Sequence, residues 1–415
     1  MIARKWFCRS FRAGAASGLF VLAALTFAPM PAVAQTTAPE VFAPLPDAPE
    51  VNEARAKLGA MLFFDDRLSG DTSHSCASCH DPAKGWGTGE PLSHGYTSIL
   101  YFRNAPGLFN VASRNYYMWD GRLDGSDLGT VVRDMLTEAH TMNMDSRLAQ
   151  ERLKQVPEYA ELFEDGWGGD PYGGKIYGAI GEFLKTIRTV NAPFDAYLRG
   201  ENSAIDDAAK RGMELFAGKA GCSQCHSGAM LSDGGLHALG VPDHPELIGA
   251  TAAGTAGRKG WVPPKFRHIA IHMGHAGHSG PTSANPTADR QIAMLRHFAT
   301  MGTPNYMNLR TDVGHYVVTK DESDIGKFVT PSLWDVEQTA HYMHSGVFDT
   351  LEEVVEFYNA GGGEGPNKTA LLKPLGLNAN EKADLVEFLK SLTGDAPAVT
   401  IPELPEYQLR EVGKN

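Results

Sequence analysis

The chain has 415 residues, more than one ordinary hydrophobic core serves, so two domains are expected. Its 42% hydrophobic and 21% charged content describes a soluble globular protein, and 45 Gly with 25 Pro require many loops and turns. A formal net charge of −12 argues against nucleic acid and anionic membranes as partners, because both repel an acidic chain.

In chain order, residues 1–34 read as an export signal. Arg4, Lys5, Arg9 and Arg12 form a positive n-region, Ala13 to Ala28 is apolar, and Ala32-Val33-Ala34 before Gln35 is a small-x-small cleavage site. The apolar stretch is short of the ~20 residues of a membrane span, and Cys8 lies upstream of it, badly placed for a lipid anchor. Cleavage takes the formal charge from −12 to −16 and leaves a periplasmic protein with no integral membrane association. Residues 35–50 are rich in Pro, Ala and Thr and read as an extended arm. Val51 to Leu62 has helical periodicity and leads to Cys76. Residues 81–125 scatter Gly, Pro and Asn and should be loop-rich. Amphipathic periodicity returns over Ser146–Phe163, Tyr177–Val190 and Ser203–Phe216.

The segment from about Pro242 to Asn308 reads as an insertion carrying His268, His272, His275, His278 and His297, with Met273 nearby. That spacing admits a metal site, although exposed loop histidines are the commoner reading. Asn378-Ala379-Asn380-Glu381 reads as an N-terminal cap before a last helix, Lys382–Leu392. No strand-rich segment stands out. The expected fold is mainly α.

The cysteines carry the chemistry. Once Cys8 leaves with the signal, the remaining four all lie in two C-x-x-C-H motifs, Cys76-Ala77-Ser78-Cys79-His80 and Cys222-Ser223-Gln224-Cys225-His226. Four cysteines in an exported chain would ordinarily suggest disulfides, and paired C-x-x-C would suggest zinc. The histidine after each second cysteine argues against both. In haem attachment two thiols add across the porphyrin vinyl groups and the next residue delivers imidazole to the iron. Two covalent c-type haems are therefore expected, on Cys76 and Cys79 with His80, and on Cys222 and Cys225 with His226. Each half repeats a helix, a C-x-x-C-H motif, a long loop and another helix. This gives two cytochrome-c-like domains, 35–195 and 196–415, in a pseudo-two-fold relation.

Further motifs follow in order: Arg103-Asn104-Ala105-Pro106, then Tyr117-Met118-Trp119-Asp120-Gly121-Arg122, then Gly326-Lys327-Phe328-Val329-Thr330-Pro331-Ser332-Leu333. Thr339-Ala340-His341-Tyr342-Met343-His344, Thr350-Leu351-Glu352-Glu353-Val354-Val355 and Phe357-Tyr358-Asn359 close the set. With the two haem motifs, this series resembles the bacterial di-haem cytochrome c peroxidase/MauG superfamily over most of the mature chain. The resemblance implies a peroxide-reactive N-terminal haem and an electron-storing C-terminal haem, with His80 and His226 as proximal ligands. It places Trp119 between the haems, where an indole can carry a hole from one iron to the other.

His94 falls where typical peroxidases have a labile ligand on the peroxidatic haem. Tyr358 falls where they place the axial Met of the electron-transfer haem and where MauG-like proteins have tyrosine. Met343 is the alternative ligand, although its spacing matches an aromatic position. Asn104, Thr339 and His341 match positions that hold an interdomain Ca²⁺ in relatives, the last two through backbone carbonyls, which suits an ion that wants oxygen.

The clearest departure from the family lies at Leu136-Thr137-Glu138-Ala139-His140-Thr141-Met142. With Met142 as the anchor, Thr141 occupies the place of the family's proton-transferring Glu, and either Glu138 or His140 supplies the acid and base from one turn away or ordinary peroxide turnover is impaired. Ala220-Gly221 stands where MauG has a second relay tryptophan.

Three functions are thus in competition. The first is a peroxidase reducing H2O2 with electrons from a small cytochrome or cupredoxin, supported by His94. The second is a MauG-like oxidase acting on aromatic residues of a partner protein, supported by Tyr358. The third is a plain electron carrier, against which the apparatus around Trp119 argues.

Overall fold

The computed structural model describes residues 41–406 other than 96–98, 126, 140 and 246–311. Residues 1–34, expected to be an export signal, most of the expected histidine-rich insertion and His140 lie outside the described residues. Helices begin where a short polar side chain can take over the first free amides. Asn52 starts α1 (Glu53–Phe63) by accepting from the Arg55 amide. Asp127 starts α2 (Leu128–Thr137), and Asp145 starts α3 (Ser146–Lys154).

The continuous helix expected over Ser146–Phe163 is broken. α3 stops at Lys154 and α4 (Pro157–Trp167) restarts on Pro157, whose ring is excluded from a helix interior but fits the first turn. α5 (Gly173–Leu184) begins earlier than its periodicity suggests and ends before Val190. α6 (Pro193–Leu198) again opens on a proline, and Asp206 caps α7 (Asp207–Ala217).

Beyond the insertion come the short α8 (Tyr316–Thr319), then α9 (Leu351–Asn359), capped by Thr350. Asn378 and Glu381 form a reciprocal capping box: the Asn378 side chain accepts from the Glu381 amide at 3.1 Å, and the Glu381 carboxylate accepts from the Asn378 amide at 2.8 Å. The last helix, α10 (Ala379–Ser391), therefore starts inside the expected cap rather than after it.

The fold is mainly helical. Strands among the described residues are three antiparallel pairs: β1 (His94–Gly95) with β2 (Ile99–Leu100), β3 (Tyr116–Tyr117) with β4 (Leu123–Asp124), and β5 (Leu236–Ala238) with β6 (Lys327–Val329).

Two hydrophobic clusters form the interior, one around α1, α4 and α5 and the other around α7, α9 and α10. Each is organised by a glycine at a helix crossing. A Cβ on Gly59 of α1 would lie 1.9 Å from the Ala179 carbonyl oxygen and 2.9 Å from Phe183 Cβ of α5. A Cβ on Gly212 of α7 would lie 2.0 Å from the Asp384 carbonyl oxygen and 2.8 Å from Phe388 Cβ of α10. One turn after each glycine a phenylalanine packs on the same partner, Phe63 on Phe183 at 5.2 Å and Phe216 on Phe388 at 5.1 Å between ring centroids. The same four-residue crossing is built twice, each time on the helix upstream of a C-x-x-C-H motif.

The described part of the arm, residues 41–50, contains no helix and is anchored. Phe42 is buried in the second cluster, 5.3 Å from Phe194, and the Leu45 amide donates to Asp195 at 2.7 Å.

Candidate functional site

Both motifs fold as one 3-10 turn, Cys76–Ser78 and Cys222–Gln224. In the first, the Cys79 and His80 amides donate to the Cys76 carbonyl at 3.2 and 3.0 Å; in the second, Cys225 and His226 donate to Cys222 at 3.2 and 2.9 Å. None of the four thiols forms a disulfide. Burial pushes Cys76 and Cys222 up to about 12 and Cys79 up to about 11. Unpaired thiols are what thioether formation requires.

The two histidines are oriented alike. Nδ1 of His80 lies 2.9 Å from the Trp86 carbonyl, and Nδ1 of His226 lies 2.9 Å from the Leu231 carbonyl. A carbonyl only accepts, so Nδ1 carries the proton and Nε2 keeps its lone pair for iron. Burial lowers the His80 imidazole to about 4, Arg114 lowering it further against the opposing Trp86 bond, and burial also lowers His226. Both rings are thus held neutral, as a metal ligand requires.

A cavity of about 490 Å³ opens beside the second motif, lined by Cys222, Cys225 and His226 and walled by apolar side chains such as Leu239, Val354, Leu375 and Leu389. This volume and lining fit an apolar macrocycle with covalent anchors at one edge. Tyr358 and Met343 line the same cavity. Burial raises the Tyr358 phenol above its ordinary range, and the Cys222 and Cys225 sulfurs add to the rise. Both candidate axial ligands are therefore brought to the second motif. His94 is brought to the first: its carbonyl accepts from Cys79 Sγ at 3.7 Å, while its imidazole is exposed.

Trp119 stands at the turn of the β3–β4 hairpin. Its Nε1 donates to the Asn104 carbonyl at 2.8 Å, and its ring lines both the large cavity and an adjacent one of about 240 Å³. Asn104, Thr339 and His341 line the large cavity as well. The Asn104 amide donates to the Glu90 and Pro91 carbonyls at 3.2 and 3.0 Å, the Thr339 hydroxyl donates to Val336, and His341 Nδ1 bonds Asp349. Cys225, Asp233 and His237 also have potential ligand atoms within 4.8 Å of one another, but a thioether at Cys225 leaves only the His237–Asp233 pair.

Thr141, expected in the place of the family Glu, donates its hydroxyl to the Met135 and Glu138 carbonyls and is engaged with backbone. Glu138, at the end of α2, accepts from Arg122 at 3.1 and 3.2 Å. Arg122 also bonds Asp120 at 3.1 Å, which in turn takes Arg103 NH1 at 2.6 Å, and Arg103 grips Asp312 through bonds of 2.6 and 2.9 Å. Burial works against the Asp312 carboxylate, but Arg103 outweighs it and holds the group well below the usual range. Sequence reading missed Asp312, which lies 209 residues from Arg103 at the far edge of the insertion. Only the run Trp119-Asp120-Gly121-Arg122 signalled that charges gather here.

A family model described as di-haem cytochrome c peroxidase matches residues 53–203. The chain is 50% identical over 371 residues to cytochrome-c peroxidase IdrP2 of Denitromonas iodatirespirans, covering 89% of this chain and 90% of the relative. It is 32% identical over 364 residues to the methylamine utilization protein MauG of Methylorubrum extorquens, covering 87% and 84% of the two. Among solved structures, a MauG-like protein associated with microbial copper homeostasis aligns with a TM-score of 0.62 at 26% identity, over 85% of this chain and 93% of that one. This chain therefore belongs to the di-haem cytochrome c peroxidase family, which carries two c-type haems, and is an oxidoreductase of the peroxidase type.

Proposed function

We propose that the chain is an exported, periplasmic peroxidase that reduces H2O2 with electrons relayed from the C-terminal to the N-terminal haem and supplied by a small cytochrome or cupredoxin. The haems provide the redox chemistry. His80 and His226 hold the irons through Nε2, and Cys76, Cys79, Cys222 and Cys225 fix the macrocycles. Glu138, oriented by Arg122, holds and delivers the proton that peroxide reduction needs, in place of the family Glu. The doubled helix crossing at Gly59 and Gly212 supports two cytochrome-c-like domains, 35–195 and 196–415, in a pseudo-two-fold relation. Asn104 with the Thr339 and His341 carbonyls is the proposed Ca²⁺ position.

The observation that carries this reading is Trp119, whose indole lines the second motif's cavity while bonded to Asn104. Replacing Trp119 with Phe should leave both haems attached and slow electron transfer between them by at least about tenfold, or ~1.4 kcal/mol of barrier. Rapid mixing of half-reduced protein with peroxide reads this directly. Unchanged inter-haem kinetics in a folded variant would reduce Trp119 to a packing residue.

The second reading, a MauG-like oxidase acting on aromatic residues of a partner protein, is favoured by Tyr358 in the cavity wall. A phenolate is a hard anionic ligand, whereas a thioether raises the potential and favours ferrous iron.

A further inference from the structure

Arg114 and Tyr117 are not used by the chemistry described above. Arg114 NH2 donates to the Gly107 and Phe109 carbonyls, but its Nε is sealed from solvent without a partner. The Tyr117 hydroxyl, on a side chain only 4% exposed, also has no partner. No carboxylate among the described residues neutralises Arg114, and burial lowers it to about 10, with Tyr117 opposing. The sealed Arg114 Nε–H and the buried Tyr117 O–H, each without a partner, carry a desolvation cost that a correctly placed acceptor would remove. Arg114 and Tyr117 stand three positions apart, Arg114 just ahead of β3 and Tyr117 within it. Arg114 lines both cavities described above.

What is missing is an anion with at least two acceptor positions and no protein source. The cofactor of this family brings one: each haem bears two propionate carboxylates, and a carboxylate is the natural partner of an Arg N–H and a Tyr O–H together. We propose that Arg114 Nε–H and the Tyr117 O–H clamp a propionate of the N-terminal haem. The clamp neutralises that carboxylate beside the His80-bound iron and so raises the iron's reduction potential. The assignment to the N-terminal haem follows from the burial of Tyr117 in the first hydrophobic cluster, against which Cys76 also packs. The alternative source is a propionate of the C-terminal haem, whose cavity Arg114 also lines. The proposal rests on two haems being attached at the two motifs.

The test is a spectroscopic redox titration of the di-haem protein in wild type, Arg114→Gln, Arg114→Lys and Tyr117→Phe, with haems counted per chain. The two signals are assigned with His80→Ala and His226→Ala. Arg114→Gln should keep both haems and lower the reduction equilibrium constant of the N-terminal haem about tenfold, equivalent to about 59 mV for one electron. Tyr117→Phe, which removes only one oxygen, should lower it by less, and Arg114→Lys should stay near wild type. An unchanged N-terminal haem in both Arg114→Gln and Tyr117→Phe overturns the clamp. A shift confined to the C-terminal haem overturns its assignment to the N-terminal one. A wild-type chain with fewer than two haems overturns the cofactor reading and this proposal with it.

Discussion

The two C-x-x-C-H regions share their backbone and differ in what surrounds it. Each has the 3-10 turn, the pair of amides returning to the first cysteine's carbonyl, the histidine steered by a carbonyl at 2.9 Å, and the glycine-pinned helix crossing upstream. Around the second motif the cavity wall is apolar, with Tyr358 as its buried phenol. Around the first lie the exposed His94 beside Cys79, and Arg114 and Tyr117 with donors unspent. The ion-pair chain from Asp312 to Glu138 ends on the stretch that departs from the family. The chain repeats what cofactor attachment requires and varies the surroundings of the two motifs.

The likeness is broken most severely by removing a proximal ligand. His80→Ala and His226→Ala should each abolish one normal haem spectrum and leave the other site's covalent haem in place. Two His-ligated irons in either variant would end the assignment.

The glycine crossings test the likeness at the level of packing. Gly59→Ala and Gly212→Ala each push a methyl to within about 2 Å of a partner-helix carbonyl oxygen, at the upper end of overpacking costs, about 3 kcal/mol or more. Denaturation of the two variants should give similar losses. A large loss in one and none in the other would show that the crossings are not equivalent.

The smallest effect concerns the seam between the halves, where buried Asp335 bonds Thr189 and accepts from the Gly394 amide at 2.9 Å, while Thr189 accepts from Asn110 at 2.6 Å. Burial raises Asp335 from 3.8 to about 6, against the opposing Thr189 and Gly394 bonds. A carboxyl with a raised folded pKa contributes stability that is full below the unfolded value and is lost as pH rises through the folded one. Between about pH 4 and pH 6 the protein should therefore lose up to roughly 1.4 kcal/mol per pH unit from this group. Asp335→Asn should flatten that part of the stability profile without changing haem content. An identical slope in the variant would clear Asp335 of the effect.

Sequence exposed the attachment chemistry because thioether formation and proximal ligation use five contiguous residues. Capping was also legible, since Asn378 and Glu381 act within one turn. Pro157 was visible as a breaker, yet the periodicity on either side of it read as one helix. What stayed hidden was long-range: nothing marks Asp312 as the counter-ion of Arg103, and nothing marks Gly59 or Gly212 as the residue on which a distant carbonyl rests. Nor did the tyrosine-rich run at 116–117 reveal that one hydroxyl would be buried without a partner, because that depends on which side of a two-residue strand faces the core.

Phe42 has a consequence for modularity. It precedes the first motif by more than thirty positions, yet its ring sits in the second hydrophobic cluster among Phe194, Phe216 and Phe388, at 5.3, 6.0 and 5.9 Å. The covalent order of the chain and the spatial order of its halves are therefore crossed. Cutting at the expected boundary between residues 195 and 196 would not release two self-sufficient pieces, because the C-terminal piece would lack a core ring whose burial contributes on the order of 1.5–3 kcal/mol. The arm acts as a clasp: a segment ahead of the first motif closes the cluster built around the second.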